Sequence, residues 1–282
     1  MSSKEFHKEF HIVSTGVSLI TNAQRVGIIN KEIKISDEDY WNNFYKTPEY
    51  SRLEEFIRSQ PKNSCAELST ILDVSEGKNK SDIQIYLFGT KTSSNELCRK
   101  LISDYLNDLG FSLLTSTEVS GYFREAYYND ITKAENDFVK DTSILLDKLV
   151  RIANRKKEDG YEVYFNPTGG LKAHVIVCAV AGFLTGGKVY YKNEEFKDIV
   201  FLPPLIYVPT KRELELLKEI SNKNRLISGK EEVKKLRENY SDELERMRNY
   251  RIIDIEEENN TEYRIKMNSI ANLILKNYLN YE

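Results

Sequence analysis

The chain has 282 residues, 40% hydrophobic and 30% charged, with 41 Lys and Arg against 44 Asp and Glu. That composition supports a sizeable core and excludes wholesale disorder. The net charge of −3 excludes a globally basic protein that holds nucleic acid by bulk charge, and the three cysteines, Cys65, Cys98 and Cys178, form no Cys-x-x-Cys pair, which excludes a zinc ribbon or disulfide framework.

Taken in chain order, residues 10–15 form an apolar run ending at Gly16, read as a strand entering a turn. Residues 33–61 are polar, carry the only tryptophan, Trp41, and read as an inserted helical arm. A second strand is expected over 82–88, ending at Gly89, followed by a helix over 95–109 with an apolar stripe from Leu97 to Leu109. A third strand (111–115), a long helix (134–153) bearing Phe138, Leu145 and Leu149, a fourth strand (161–165) and a buried helix (169–184) follow, then two strands at 188–191 and 198–202. This alternation predicts an α/β fold, a Rossmann-like, mainly parallel sheet covered on both faces. The apolar stretch 173–184 is shorter than the ~20 residues a bilayer crossing needs. The N-terminus carries no secretory leader pattern. A cytoplasmic protein with no membrane partner is expected.

Pro203, Pro204 and Pro209 mark a boundary, dividing the chain into 1–208 and 209–282. Beyond it, helices are expected over 211–221, 230–240 and 241–250, the last capped by Ser241. A hairpin turns at Asn259 and Asn260, and a closing helix carries Ile270, Leu273, Ile274 and Tyr278. Three helices, a hairpin and a last helix give the pattern of a small winged helix-turn-helix.

Ligands of open α/β sheets bind beyond the carboxyl ends of the strands, so three loops matter. Asn166-Pro167-Thr168-Gly169-Gly170-Leu171-Lys172 leaves a strand and opens a helix. Its glycines let backbone approach an anion, the helix start offers free N–H donors, and Thr168 and Lys172 add a hydroxyl and a charge. The alternative is a turn that needs two glycines. Ser14-Thr15-Gly16-Val17-Ser18, with Asn22, offers hydroxyls for phosphate or ribose, or simply a helix start with Ser18 as N-cap. Thr90 lies in a third, hydroxyl-rich loop that reads equally well as a solvated turn. Arg124 and Tyr127 sit in an aromatic run that suits a nucleotide lid or packing. Histidine is scarce: His174, on an apolar helix, reads as a satisfied core or interface residue, and no metal cluster or Ser–His–Asp set assembles.

On the 166–172 motif, the 14–22 loop and the Val200-Phe-Leu-Pro-Pro-Leu205 end, the chain resembles CARF-domain CRISPR-associated proteins over residues 1–208. Its first loop departs from relatives, reading Thr-Gly-Val-Ser where they often read Gly-Thr-Ser. The resemblance implies a two-fold homodimer that binds a cyclic oligoadenylate across its interface, most simply cyclic tetra-adenylate, with no cofactor and no metal. It further implies a ring nuclease with Lys172 and Ser14 catalytic, or Ser18 in place of Ser14; the loops read above add Thr15, Gly16, Ser18, Asn22, Thr90, Asn166, Thr168, Gly169, Gly170, Arg124 and Tyr127 as the expected ligand-binding residues. No histidine follows His174, so residues 209–282 cannot supply the Arg-x-x-x-x-His of a HEPN ribonuclease. A DNA-binding regulator and a non-cleaving sensor remain as alternatives. The tail disfavours DNA, since Lys and Arg balance Asp and Glu there, fifteen of each between Pro209 and Glu282.

Overall fold

A computed structural model describes residues 8–114, 131–193, 195, 197–224, 226–250, 252–258, 262–268, 271–272 and 274–275, with residues 131–138, 230, 257, 258, 262 and 263 described by backbone alone. Contacts divide the chain into two compact units, Met1–Leu202 and Pro203–Glu282.

The first unit is built on β1 (Glu9–Thr15), every residue of which is buried. A strand with no solvent-facing side suits a central parallel position covered on both faces. β1 pairs in parallel with β2 (Ile83–Gly89), from Glu9 opposite Ile83 to Thr15 opposite Gly89, and on its other edge with β4 (Glu162–Asn166). With β3 (Ser112–Leu113), β5 (Lys188–Lys192) and β6 (Ile199–Phe201) the sheet runs β3-β2-β1-β4-β5-β6, and only the β5–β6 pair is antiparallel.

Alternate strand residues serve two cores. Val13, Ile85 and Leu87 pack with α1 (Ser18–Arg25), α2 (Glu38–Asn43), α3 (Pro48–Ser59), α5 (Ala66–Val74) and α6 (Ser93–Asp108). Phe10, Ile12, Phe88 and Phe165 pack with α7 (Ile131–Glu158) and α8 (Lys172–Thr185). Both α3 and the one-turn α4 (Pro61–Ser64) begin at a proline, whose fixed φ and missing N–H suit a helix start. The segment expected as an arm is helical but lies within the core: Trp41, Phe44, Leu53 and Ile57 are essentially inaccessible. All three cysteines are free and buried, and burial pushes each thiol well above its usual range. Cys65 also caps α5, its Sγ accepting from the Leu68 amide at 3.4 Å.

The second unit holds α9 (Lys211–Asn222), β7 (Leu226–Ser228), α10 (Lys230–Asn239), α11 (Ser241–Asn249), β8 (Ile253–Glu258) and β9 (Glu262–Met267). Its antiparallel sheet runs β7-β9-β8, so the expected hairpin carries a third strand. Leu217, Ile220, Val233, Leu236, Leu244, Met247 and Ile265 form its core, and Tyr207 joins them. The unit therefore starts before the 208/209 boundary suggested by Pro209. Ser241 is the first helical residue of α11, not its cap. Asn259, Asn260, Ile270, Leu273 and Tyr278 lie outside the described residues.

Charge in this unit is used internally. Glu213, 1% exposed, accepts from the Thr210 amide and pairs with Arg246 at 2.5 Å, while Arg246 also donates to the Val208 carbonyl. Arg212 pairs with Glu243 at 2.5 Å.

Candidate functional site

The chain order around the sheet reverses between β1 and β4, and at such a switch point the loops part to leave a crevice at the carboxyl ends. A cleft of about 1150 Å³ opens there. It is lined by Gly16, Val17 and Ser18 after β1, Thr90 to Thr92 with Ser94 and Asn95 after β2, Thr168 to Leu171 after β4, and Lys31 with Ile33 to Ile35 from the loop after α1. Two side chains hold that last loop. Gln24 Nε2 donates to the Ile33 carbonyl at 2.8 Å, and Trp41 Nε1 to the Lys34 carbonyl at 2.9 Å.

The β1 and β4 loops meet without room for side chains. A Cβ on Gly16 would lie 2.5 Å from the Gly170 nitrogen, and one on Gly169 would overlap the Glu67 carboxylate. Gly170 itself has φ +97°, in the left-handed region. Glu67, fully buried in the first turn of α5, stands behind both loops. Its Oε1 accepts from the Gly16 amide at 2.7 Å and its Oε2 from Ser18 Oγ at 2.7 Å. The α5 N-terminus supplies a favourable field for that negative charge.

Helices α1, α6 and α8 start at this cleft, and the first two starts face a carboxylate. Glu67 stands at the beginning of α1, and Glu38 Oε2 accepts from the Ser93 amide at the beginning of α6 at 2.9 Å. The start of α8, at Leu171, has no side-chain cap. Its amides and positive dipole end are thus the ones presented to an incoming anion, with Lys172 exposed as the first helical residue. Lys31, Lys34 and Lys91 add positive charge on the walls.

The expected site residues separate into two groups. Gly16, Ser18, Thr90, Thr168, Gly169 and Gly170 line the cleft together. Ser14, Thr15, Asn166 and Asn22 do not, and neither does Lys172, which is exposed just beyond the lining residue Leu171. Ser14 is fully buried, close enough to Gly170 that a Cβ there would sit 2.9 Å from its Oγ. Thr15 Oγ1 donates to the Phe88 carbonyl, tying β1 to β2. Buried Asn166 donates to Thr70 at 2.7 Å and accepts from Thr168 Oγ1, so it sets the β4 loop from beneath. Asn22 donates to the Ser64 carbonyl at 3.1 Å, joining α1 to α4. Ser18 is not the N-cap of α1, which falls on Val17. Arg124 and Tyr127 lie outside the described residues.

His174 is 2% exposed against Phe88, and among the described residues neither ring nitrogen has a hydrogen-bond partner. It is not the satisfied core histidine expected; burial lowers its pKa to about 4. Among the described residues no group of three His, Cys, Asp or Glu is placed to hold a metal, and no helix is long and apolar enough to cross a membrane.

Sequence reasoning missed Glu67, Lys31, Lys34 and Gln24. The available signal for Glu67 was an acid on the same helical face as Thr70, Ile71 and Val74, an unusual place for an unpaired carboxylate.

A solved structure described as "Crystal structure of protein VC1899 from Vibrio cholerae" is similar at 11% identity and a TM-score of 0.34, over 95% of this chain. This chain spans 64% of that protein's length. Residues 62–205 match the family described as CRISPR-associated protein (Cas_APE2256), a match that takes in Glu67, the β2 loop and the whole β4 loop through Lys172. That match covers just over half of the sequence, and the chain belongs to the Cas_APE2256 family of CRISPR-associated proteins.

Proposed function

We propose that the protein is a ring nuclease of CARF type. It binds a cyclic oligoadenylate, cyclic tetra-adenylate in the simplest case, and slowly opens it to linear products ending in a 2′,3′-cyclic phosphate, switching off a type III CRISPR response. In this reading the first unit is a Rossmann-like CARF domain, the second a winged helix-turn-helix, and the working species a cytoplasmic homodimer whose two-fold axis matches the symmetry of the ring.

One observation carries the reading: the uncapped start of α8, with Lys172 as its first residue, faces a cleft at the β1/β4 switch point whose walls add Lys31, Lys34 and Lys91. A helix start of this kind holds a phosphate and stabilises the charge that grows on it. Cleavage needs a ribose 2′-oxygen aligned on the neighbouring phosphorus, so fixed geometry supplies much of the rate. Of the two serines the family resemblance offers, Ser18 lines the cleft and Ser14 lies beneath it. The DNA-binding alternative is disfavoured by α11, where Glu243 and Arg246 are spent on partners within the unit.

The test is incubation of the pure protein with radiolabelled cyclic tetra-adenylate in excess EDTA, with products resolved by size and end group. Linear products with a cyclic phosphate end are expected. An intact, tightly bound ring would make the protein a sensor, and no binding at all would overturn the reading.

A further inference from the structure

The hydroxyl of Ser18 has little freedom. Its proton is directed to Glu67 Oε2 at 2.7 Å, and one of its lone pairs accepts from the Ala66 amide at 3.2 Å. A serine hydroxyl has one proton and two lone pairs. With the proton directed at Glu67 and one lone pair taken by the Ala66 amide, what Ser18 offers the cleft is a single lone pair. The Gly16 amide is likewise turned inward to Glu67 Oε1. This wall of the cleft therefore has no donor for a phosphate at these two positions and is built to accept.

We infer that Glu67 is a positioning residue that fixes Ser18 as a hydrogen-bond acceptor for a ribose 2′-hydroxyl, while the phosphate lies beside it at the start of α8. The inference rests on the ring-nucleotide reading, for in a 3′–5′ linked ring the 2′-hydroxyl is the free ribose hydroxyl. The division of labour is chemically consistent: carboxylate-backed Ser18 repels a phosphate and attracts an O–H, whereas α8 and Lys172 do the reverse. A 2′-hydroxyl that donates to Ser18 keeps its own lone pairs free to face the neighbouring phosphorus.

Glu67→Gln tests the polarity without removing the side chain. The Gly16 amide requires an acceptor, so the glutamine oxygen takes Oε1's place and its NH2 faces Ser18. The serine proton then turns into the cleft, and Ser18 becomes a donor. The experiment compares equilibrium binding of cyclic tetra-adenylate with a ring carrying fluorine at each 2′ position, which is similar in size and has no proton to donate. The wild-type protein is expected to bind the fluoro ring about tenfold or more weakly. In Glu67→Gln that ratio is expected to narrow to within a few-fold. Ser18→Ala, which leaves Glu67 and Gly16 in place, is expected to bring it close to one and serves if the glutamine variant does not fold. A wild-type ratio near one, or a ratio unchanged in both variants, overturns the role of Glu67 and Ser18 while leaving the ring-nucleotide reading standing. Failure of the wild-type protein to bind either ring overturns both.

Discussion

Gly16 and Gly170, one at the end of β1 and the other beyond β4, approach so closely that a methyl group on the first would lie 2.5 Å from the backbone nitrogen of the second. The neighbour is backbone and cannot swing aside. Gly16→Ala should force the two loops apart, costing about 1–3 kcal/mol as overpacking does and weakening ligand binding more than stability alone explains. Urea unfolding and equilibrium binding on the same preparation check both; wild-type affinity in a destabilised variant would separate loop contact from recognition.

Lys172 is placed against its own helix. A cation at the first position of α8 meets the positive end of the dipole, which costs roughly 0.3–1 kcal/mol where nothing offsets it. Lys172→Ala should leave the melting temperature unchanged or slightly raised while abolishing ring cleavage. Cleavage at the wild-type rate would remove Lys172 from the site.

Acid should weaken the first unit in two stages. Burial lowers the pKa of His174 from 6.5 to about 4, so its contribution is complete above pH 6.5 and lost as pH falls through 4. The lost amount is about 3 kcal/mol at 1.36 kcal/mol per pKa unit. Buried His11 is lowered in the same direction, burial outweighing the pull of Glu9. Glu9 is opposed by its own burial, but hydrogen bonds from His11 and Lys78 prevail and hold it at about 2. Its stabilisation is therefore full above pH 4.5 and disappears towards pH 2. Urea midpoints at pH 7.5, 5.5 and 4 should fall in the wild-type protein and fall distinctly less in His174→Leu.

Arg246→Ala strands the buried Glu213 carboxylate, which should destabilise the second unit by about 3–5 kcal/mol. The single tryptophan, Trp41, belongs to the first unit. Far-UV circular dichroism should thus show an earlier transition in this variant while Trp41 fluorescence unfolds at the wild-type midpoint. A shift in both signals would mean the two units unfold together.

The sheet was legible in the sequence because its strands are short apolar runs closed by Gly16, Gly89 or a polar loop, and each lies within two residues or so of its expected place. β7 escaped because Leu226–Ser228 has three residues, too few to show a period of two. The β4 loop was legible because two adjacent glycines before a helix are a local signal. The rest of the cleft was not, for its partners come together only in three dimensions: Ser18 meets Glu67 across 49 positions, and Ser93 meets Glu38 across 55. Ser14 and Ser18 look alike as letters, and the strand's burial alone separates them.

Cys65 caps the helix that carries Glu67, and its thiol is sealed from water in the folded chain. The segment thereby contains its own clock. A thiol-reactive dye can reach Cys65 only when the start of α5 opens, so the labelling rate measures how often the wall behind Ser18 comes undone. A bound ligand that depends on that wall should slow the clock.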